Sequence, residues 1–67
     1  MQPWLQRVIV EQTELNAKWQ ALATFIRSPE FAQLDMRSRD LLTRQEAAMA
    51  AYVGILAARI AHANGAR

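Results

Sequence analysis

The sequence predicts an all-α protein: an antiparallel helical hairpin with a short connecting helix, assembling into a homo-oligomer. Three observations carry that expectation. Leu5, Val8, Gln12, Leu15, Trp19, Leu22 and Ile26 recur at alternating spacings of three and four, a seven-residue repeat with one polar member. Ser28-Pro29-Glu30 then interrupts the pattern. Beyond it, Leu41 to Ile60 follows a helical period but is apolar on two sides, and a chain of 67 residues is too short to cover both alone.

The first helix is expected from Pro3 to about Ile26. Pro3 suits a first turn, where its missing N–H has no intrahelical partner in any case. Beside the seam runs a second heptad-spaced line of Trp4, Glu11, Lys18 and Phe25. Glu14 and Lys18 make an i,i+4 pair in the favourable orientation, and Arg7 and Glu11 make one in the reverse orientation. The plain reading of this line is a solvated flank. Trp4 is its odd member, because an aromatic near a helix end needs burial or a ligand.

Ser28 is a candidate cap, Pro29 fits a first helical position, and Glu30 favours the positive end of the helix dipole. A short helix is therefore expected over about 29–34, with Phe31 and Leu34 plugging the open end between the long helices. Asp35 is the next candidate cap, and the last helix is expected over about 37–63. Arg37, Arg39 and Arg44 make its beginning basic, most simply as a solvated face. Asn64-Gly65 is a good stop, after which Ala66 and Arg67 are expected to fray. Residues 1–67 read as one helical domain without repeats, linkers or low-complexity stretches.

The last helix carries two stripes. Leu42, Met49, Val53, Leu56 and Ile60 are expected to close on the first helix. Ala47, Ala51, Gly54, Ala58 and Ala61 form a stripe of small residues, and positions 47 and 49 lie about 200° apart at about 100° per residue. Gly54 in a helix centre costs about 1 kcal/mol relative to alanine, which close approach of a second helix would offset. The competing reading is that alanine is simply the best helix former.

Composition narrows the function. There is no cysteine, which excludes disulfides and thiolate metal sites and fits a reducing cytoplasm. The single histidine, His62, makes no metal site alone and is most simply stabilised by a helix C-terminus. Eight basic and six acidic residues give a net charge of +2, well short of the basic patch a duplex nucleic acid requires. No apolar run is long enough to span a bilayer and no leader pattern opens the chain. No nucleophile–base set, phosphate loop or paired ligand set is present, so neither an enzyme nor a bound cofactor or metal is expected. Gln45, Tyr52 and Arg59 are seven apart along the border of the large stripe. Tyr52 needs a partner if buried, and the guanidinium of Arg59 suits either a carboxylate of the first helix or a phosphate.

A set of residues in order resembles a family of small tailed-phage proteins: Arg7-Val8, Glu11, Glu14-Leu15, Lys18, Leu22, Phe25-Ile26, Phe31, Leu34, Leu41-Leu42, Gln45, Ala48-Met49, Tyr52, Ile55-Leu56 and Arg59-Ile60. The likeness covers nearly the whole chain and rests on joint order and spacing, since no single motif is diagnostic. The family includes the anti-CBASS sponges, compact helical proteins that assemble, typically as hexamers, and sequester cyclic oligonucleotide second messengers without degrading them. The resemblance implies a protein of the infected bacterial cytoplasm that starves a host immune effector of its signal, 3',3'-cGAMP being a representative ligand. In the family an N-terminal aromatic stacks on a base of a cyclic dinucleotide and a lysine of the first long helix meets its phosphates. Trp4 and Lys18 correspond, with Arg7 a further phosphate contact; the usual aromatic is tyrosine, so Trp4 departs from the pattern. In some members an arginine of the last helix lines a separate cyclic trinucleotide pocket, to which Arg59 and Ala57 correspond. Stacking is worth about 1–3 kcal/mol per base, and cationic side chains add charge-assisted hydrogen bonds. Two other readings compete: a helical module that inhibits or scaffolds a protein partner, and a small RNA-binding dimer, which needs a basic helix face rather than the local cluster of Arg37, Arg39 and Arg44.

Overall fold

The computed structural model describes residues 3–65 and contains three helices: α1, Pro3–Ile26; α2, Pro29–Ala32; and α3, Met36–Ala63. All regular structure among the described residues is helical. The expected fraying of Ala66 and Arg67 lies outside them.

Helices α1 and α3 pack against each other along their length. Glu11 meets Tyr52, and Trp19, further along α1, meets Glu46, earlier on α3. The two helices therefore run in opposite directions. Their seam is made by the two periodic stripes: Leu56 is fully buried, and Leu5 and Val8 are buried. Gln12, Leu15, Trp19, Leu22 and Ile26 of α1 and Leu42, Met49, Val53 and Ile60 of α3 are half-buried.

Among the described residues only three large side chains are buried, because two helices share one interface and none of the described residues covers their outer sides. The molecule measures 46 × 18 × 15 Å, with a radius of gyration of 15.1 Å, against about 11 Å for a compact chain of this length. Its accessible surface is 5007 Å², where the scaling for folded monomers gives about 4,300 Å². The small-residue stripe of Ala47, Ala51, Gly54, Ala58 and Ala61 is wholly exposed. A Cβ added at Gly54 would meet nothing within 4 Å.

The connection differs from expectation in two details. Helix α2 stops at Ala32, two residues early, because its end tightens into i→i−3 bonds from the Gln33 N–H to Glu30 and the Leu34 N–H to Phe31. Ser28 occupies the cap position, but its hydroxyl donates back to the Phe25 carbonyl at 2.6 Å, closing α1 and leaving α2 without a side-chain cap. Phe31 is half-buried and meets Phe25 edge-to-face, with centroids 6.1 Å apart and rings at 89°. Asp35 caps α3 as expected from its residue type, accepting from the Ser38 N–H at 3.1 Å and the Ser38 hydroxyl at 2.6 Å. Helix α3 therefore begins at Met36, directly after the cap.

Charge pairing also differs. Neither Glu14 with Lys18 nor Arg7 with Glu11 forms an ion pair among the described residues; the two pairs formed are Arg37–Asp40 at 3.6 Å and Arg44–Asp40 at 3.1 Å. Asp40 thus partly neutralises the basic start of α3. Both pairs are solvent-exposed and contribute little stability. Among the described residues no helix is long and apolar enough to cross a membrane.

Candidate ligand-binding flank

The contact that fixes the geometry of this flank is the Tyr52 hydroxyl donating to a Glu11 carboxylate oxygen. Helices with a seven-residue repeat return to the same face every two turns, so the contact sets the register of the whole side. One repeat back, Trp4 lies level with Arg59; one repeat on, Lys18 lies level with Gln45. Trp4, Glu11 and Lys18 of α1 and Arg59, Tyr52 and Gln45 of α3 therefore share one flank of the hairpin.

The electrostatics agree with that placement. Tyr52 is held above the ordinary tyrosine pKa of 10.0, chiefly because its hydroxyl donates to Glu11, then through burial and the Glu11 charge; the positive charge of Arg59 acts in the opposite direction. Arg59 is thus close enough for its charge to reach the Tyr52 hydroxyl. It forms no ion pair among the described residues, so the carboxylate of the first helix goes to Tyr52 rather than to Arg59. Gln45 makes only a weak contact to the Met49 sulfur, at 3.8 Å.

Arg7 and Glu11 line a shallow groove of about 420 Å³, together with Pro3, Gln6, Val10 and Glu14. The groove runs from the flank onto the outer side of α1, where Val10 is exposed. Trp4 is 41% exposed, and Arg7 and Lys18 are both exposed. The structure does not bring all the expected ligand residues together. Trp4 and Lys18 are fourteen positions apart on one straight helix, about 21 Å along its axis. Ala57 and Arg59 are both exposed but two positions apart on α3, about 200° around it, so within one chain they cannot line the same pocket. Arg59 instead shares its end of the molecule with Trp4.

Besides the Tyr52–Glu11 pairing, a second polar contact between the helices goes beyond what the sequence predicts. The Trp19 indole N–H donates to Glu46 at 2.7 Å across the seam, in a partly buried setting. The pair borders a second groove of about 450 Å³, lined also by Gln20, Ala23, Thr24 and Arg27. The signal was present: spacings of four and three from Leu42 put position 46 in the seam, opposite an indole whose N–H needs an acceptor.

These features define a small, elongated, all-helical protein with an aromatic ring and several cationic groups along one accessible flank. A family model described as Sequestin matches residues 2–62, nearly the whole chain. The chain belongs to the Sequestin family. No curated protein and no solved structure matches it.

Proposed function

We propose that this protein is a phage anti-CBASS sponge. In the cytoplasm of an infected bacterium it binds cyclic dinucleotides such as 3',3'-cGAMP and holds them without cleavage, so that the host effector stays inactive. The family's name supports sequestration. The observation that carries the nucleotide reading is the flank itself, where the accessible ring of Trp4 lies within one helix turn of Arg7 and level with Arg59. A base stacks on the indole, and the guanidinium groups meet phosphate through charge-assisted hydrogen bonds.

The hairpin is the building block of a homo-oligomer, hexameric by resemblance. The 21 Å between Trp4 and Lys18, roughly four helical turns, supports a site completed by a second copy. Two α1 helices packed antiparallel about an axis near Glu11 bring the Lys18 of each copy beside the Trp4 of the other, and each contact then occurs twice. A cyclic trinucleotide, where bound, engages Arg59 and, from another copy, Ala57.

Titration of a panel of cyclic di- and trinucleotides against the wild type, Trp4→Ala and Arg59→Ala tests this reading. Trp4→Ala is expected to lose dinucleotide binding by at least about fivefold, the lower end of one lost stack, and Arg59→Ala to impair trinucleotide binding. A wild type that binds none of them contradicts the proposal. The second reading, a module for a protein partner, has its own support: Ile55 is 57% exposed and Leu41 47% exposed on the same side of α3 as Tyr52. A stoichiometric protein partner recovered from infected cells, indifferent to added nucleotide, favours that alternative.

A further inference from the structure

Glu11 is an unexpected residue for a flank that is to hold a phosphodiester ring. Its carboxylate is exposed, lines the same groove as Arg7, and sits two helical turns from Trp4. Facing phosphate, it would repel the ligand. Facing a base, it has a use, because an ionised carboxylate only accepts hydrogen bonds and can accept several at once. The Tyr52 hydroxyl occupies one of those positions and fixes the carboxylate in place. A tyrosine hydroxyl keeps its proton at neutral pH, and the bond to Glu11 holds it more firmly still. Helical side chains lean toward the N-terminus, so Glu11 leans toward Trp4 across about 10 Å of helix, with Arg7 between them.

We infer that Glu11 is a specificity-determining residue: oriented by Tyr52, it reads the Watson–Crick edge of a guanine whose ring stacks on Trp4, while Arg7 holds the adjoining phosphate. The inference rests on the cyclic-dinucleotide reading above and adds the base preference. Guanine presents a ring N–H beside an exocyclic amino group, two adjacent donors that match two carboxylate oxygens. Adenine presents an amino donor beside a bare ring nitrogen, which would face the carboxylate lone pairs. A polar group built to pair with a donor discriminates strongly against an analogue that lacks one, because it is then left unpaired.

The test is calorimetric titration with cyclic di-GMP and cyclic di-AMP of the wild type, Glu11→Gln, Tyr52→Phe and Trp4→Ala, each checked for helicity. The wild type is expected to favour cyclic di-GMP on the order of ten- to hundredfold, the value of one good bidentate base contact. Glu11→Gln replaces two acceptors by an acceptor and a donor, the pattern that complements adenine, so the preference is expected to collapse or invert. Tyr52→Phe frees the carboxylate and is expected to narrow the preference, chiefly by weakening cyclic di-GMP. Equal wild-type affinity for the two ligands, or an unchanged ratio in Glu11→Gln, overturns the role of Glu11 and leaves the sponge reading standing. Absence of binding to either ligand overturns both. Loss of both ligands in Trp4→Ala, with the ratio changed only in Glu11→Gln, is the pattern that supports the inference.

Discussion

At the scale of single residues, the seam is held by apolar contact, with a part-buried polar link between Trp19 and Glu46 inside it and the exposed Tyr52–Glu11 contact at its border. Glu46 occupies a position that periodicity assigns to the interface with α1, where an unsatisfied carboxylate would be costly. The Trp19 indole supplies the donor at 2.7 Å. Trp19→Phe keeps a ring in the seam and removes that donor, so it is expected to lower unfolding stability by about 1–3 kcal/mol. Chemical denaturation followed by circular dichroism checks this, and Glu46→Gln, which still accepts from the indole, should lose less. Unchanged stability in Trp19→Phe would mean that water serves the carboxylate as well as the indole does. The type of each seam residue was legible from its spacing, whereas the pairing of 19 with 46 required the register. The same is true of Glu11 and Tyr52: both stood out as polar residues at the stripe borders, and only the packed helices show that they find each other.

At the scale of elements, the long helices were legible because each carries several turns of consistent period, while the short α2 depended on local hydrogen bonding that composition does not encode. Ser28 illustrates the difference. Its residue type and the proline after it suggested a cap for α2, yet the Phe25 carbonyl at the end of α1 captures its hydroxyl. Asp35 meets no such competitor, and Ser38 donates to it from both backbone and side chain. Those hydrogen bonds, the side-chain one first, hold the Asp35 carboxyl below its ordinary value of 3.8. A depressed carboxyl pKa stabilises the fold at pH values above the unfolded-state value and loses that contribution as pH falls through the folded-state value. Asp35→Ala is therefore expected to melt at a lower temperature than the wild type at neutral pH, with the gap closing on acidification below about 3.8. Thermal melts across that range measure it, and a gap independent of pH would show that the cap acts through something other than its charge.

At the scale of the molecule, the excess of surface is the main clue to assembly. The chain exposes about 700 Å² more than its size predicts and presents a continuous alanine and glycine face, the surface that the proposed homo-oligomer would cover. The face itself was legible in the spacing of Ala47, Ala51, Gly54, Ala58 and Ala61. The exposure of Leu41 and Ile55 was not, since both are apolar residues outside the stripe that packs on α1. Nor was the grouping of the ligand residues. The family resemblance implies different pockets for Trp4 and Arg59, whereas antiparallel register places them level with each other, and helical geometry separates Arg59 from Ala57. If the small face packs against another copy, Gly54→Leu should leave the chain helical and reduce the assembled mass seen by sedimentation. In an uncovered face the same substitution is harmless, because nothing lies within 4 Å of the new Cβ and leucine is the better helix former. Identical sedimentation of the variant and the wild type would place the assembly contacts elsewhere.

A sponge of the kind proposed captures its ligand and keeps it whole. The direct measurement is to incubate the purified protein with 3',3'-cGAMP, remove unbound nucleotide, denature by heat, and identify the released material by chromatography and mass spectrometry. The folded protein is expected to retain the nucleotide and, on denaturation, to release it chemically intact. Failure to retain it, or recovery of linear or hydrolysed products, would rule out the proposed function.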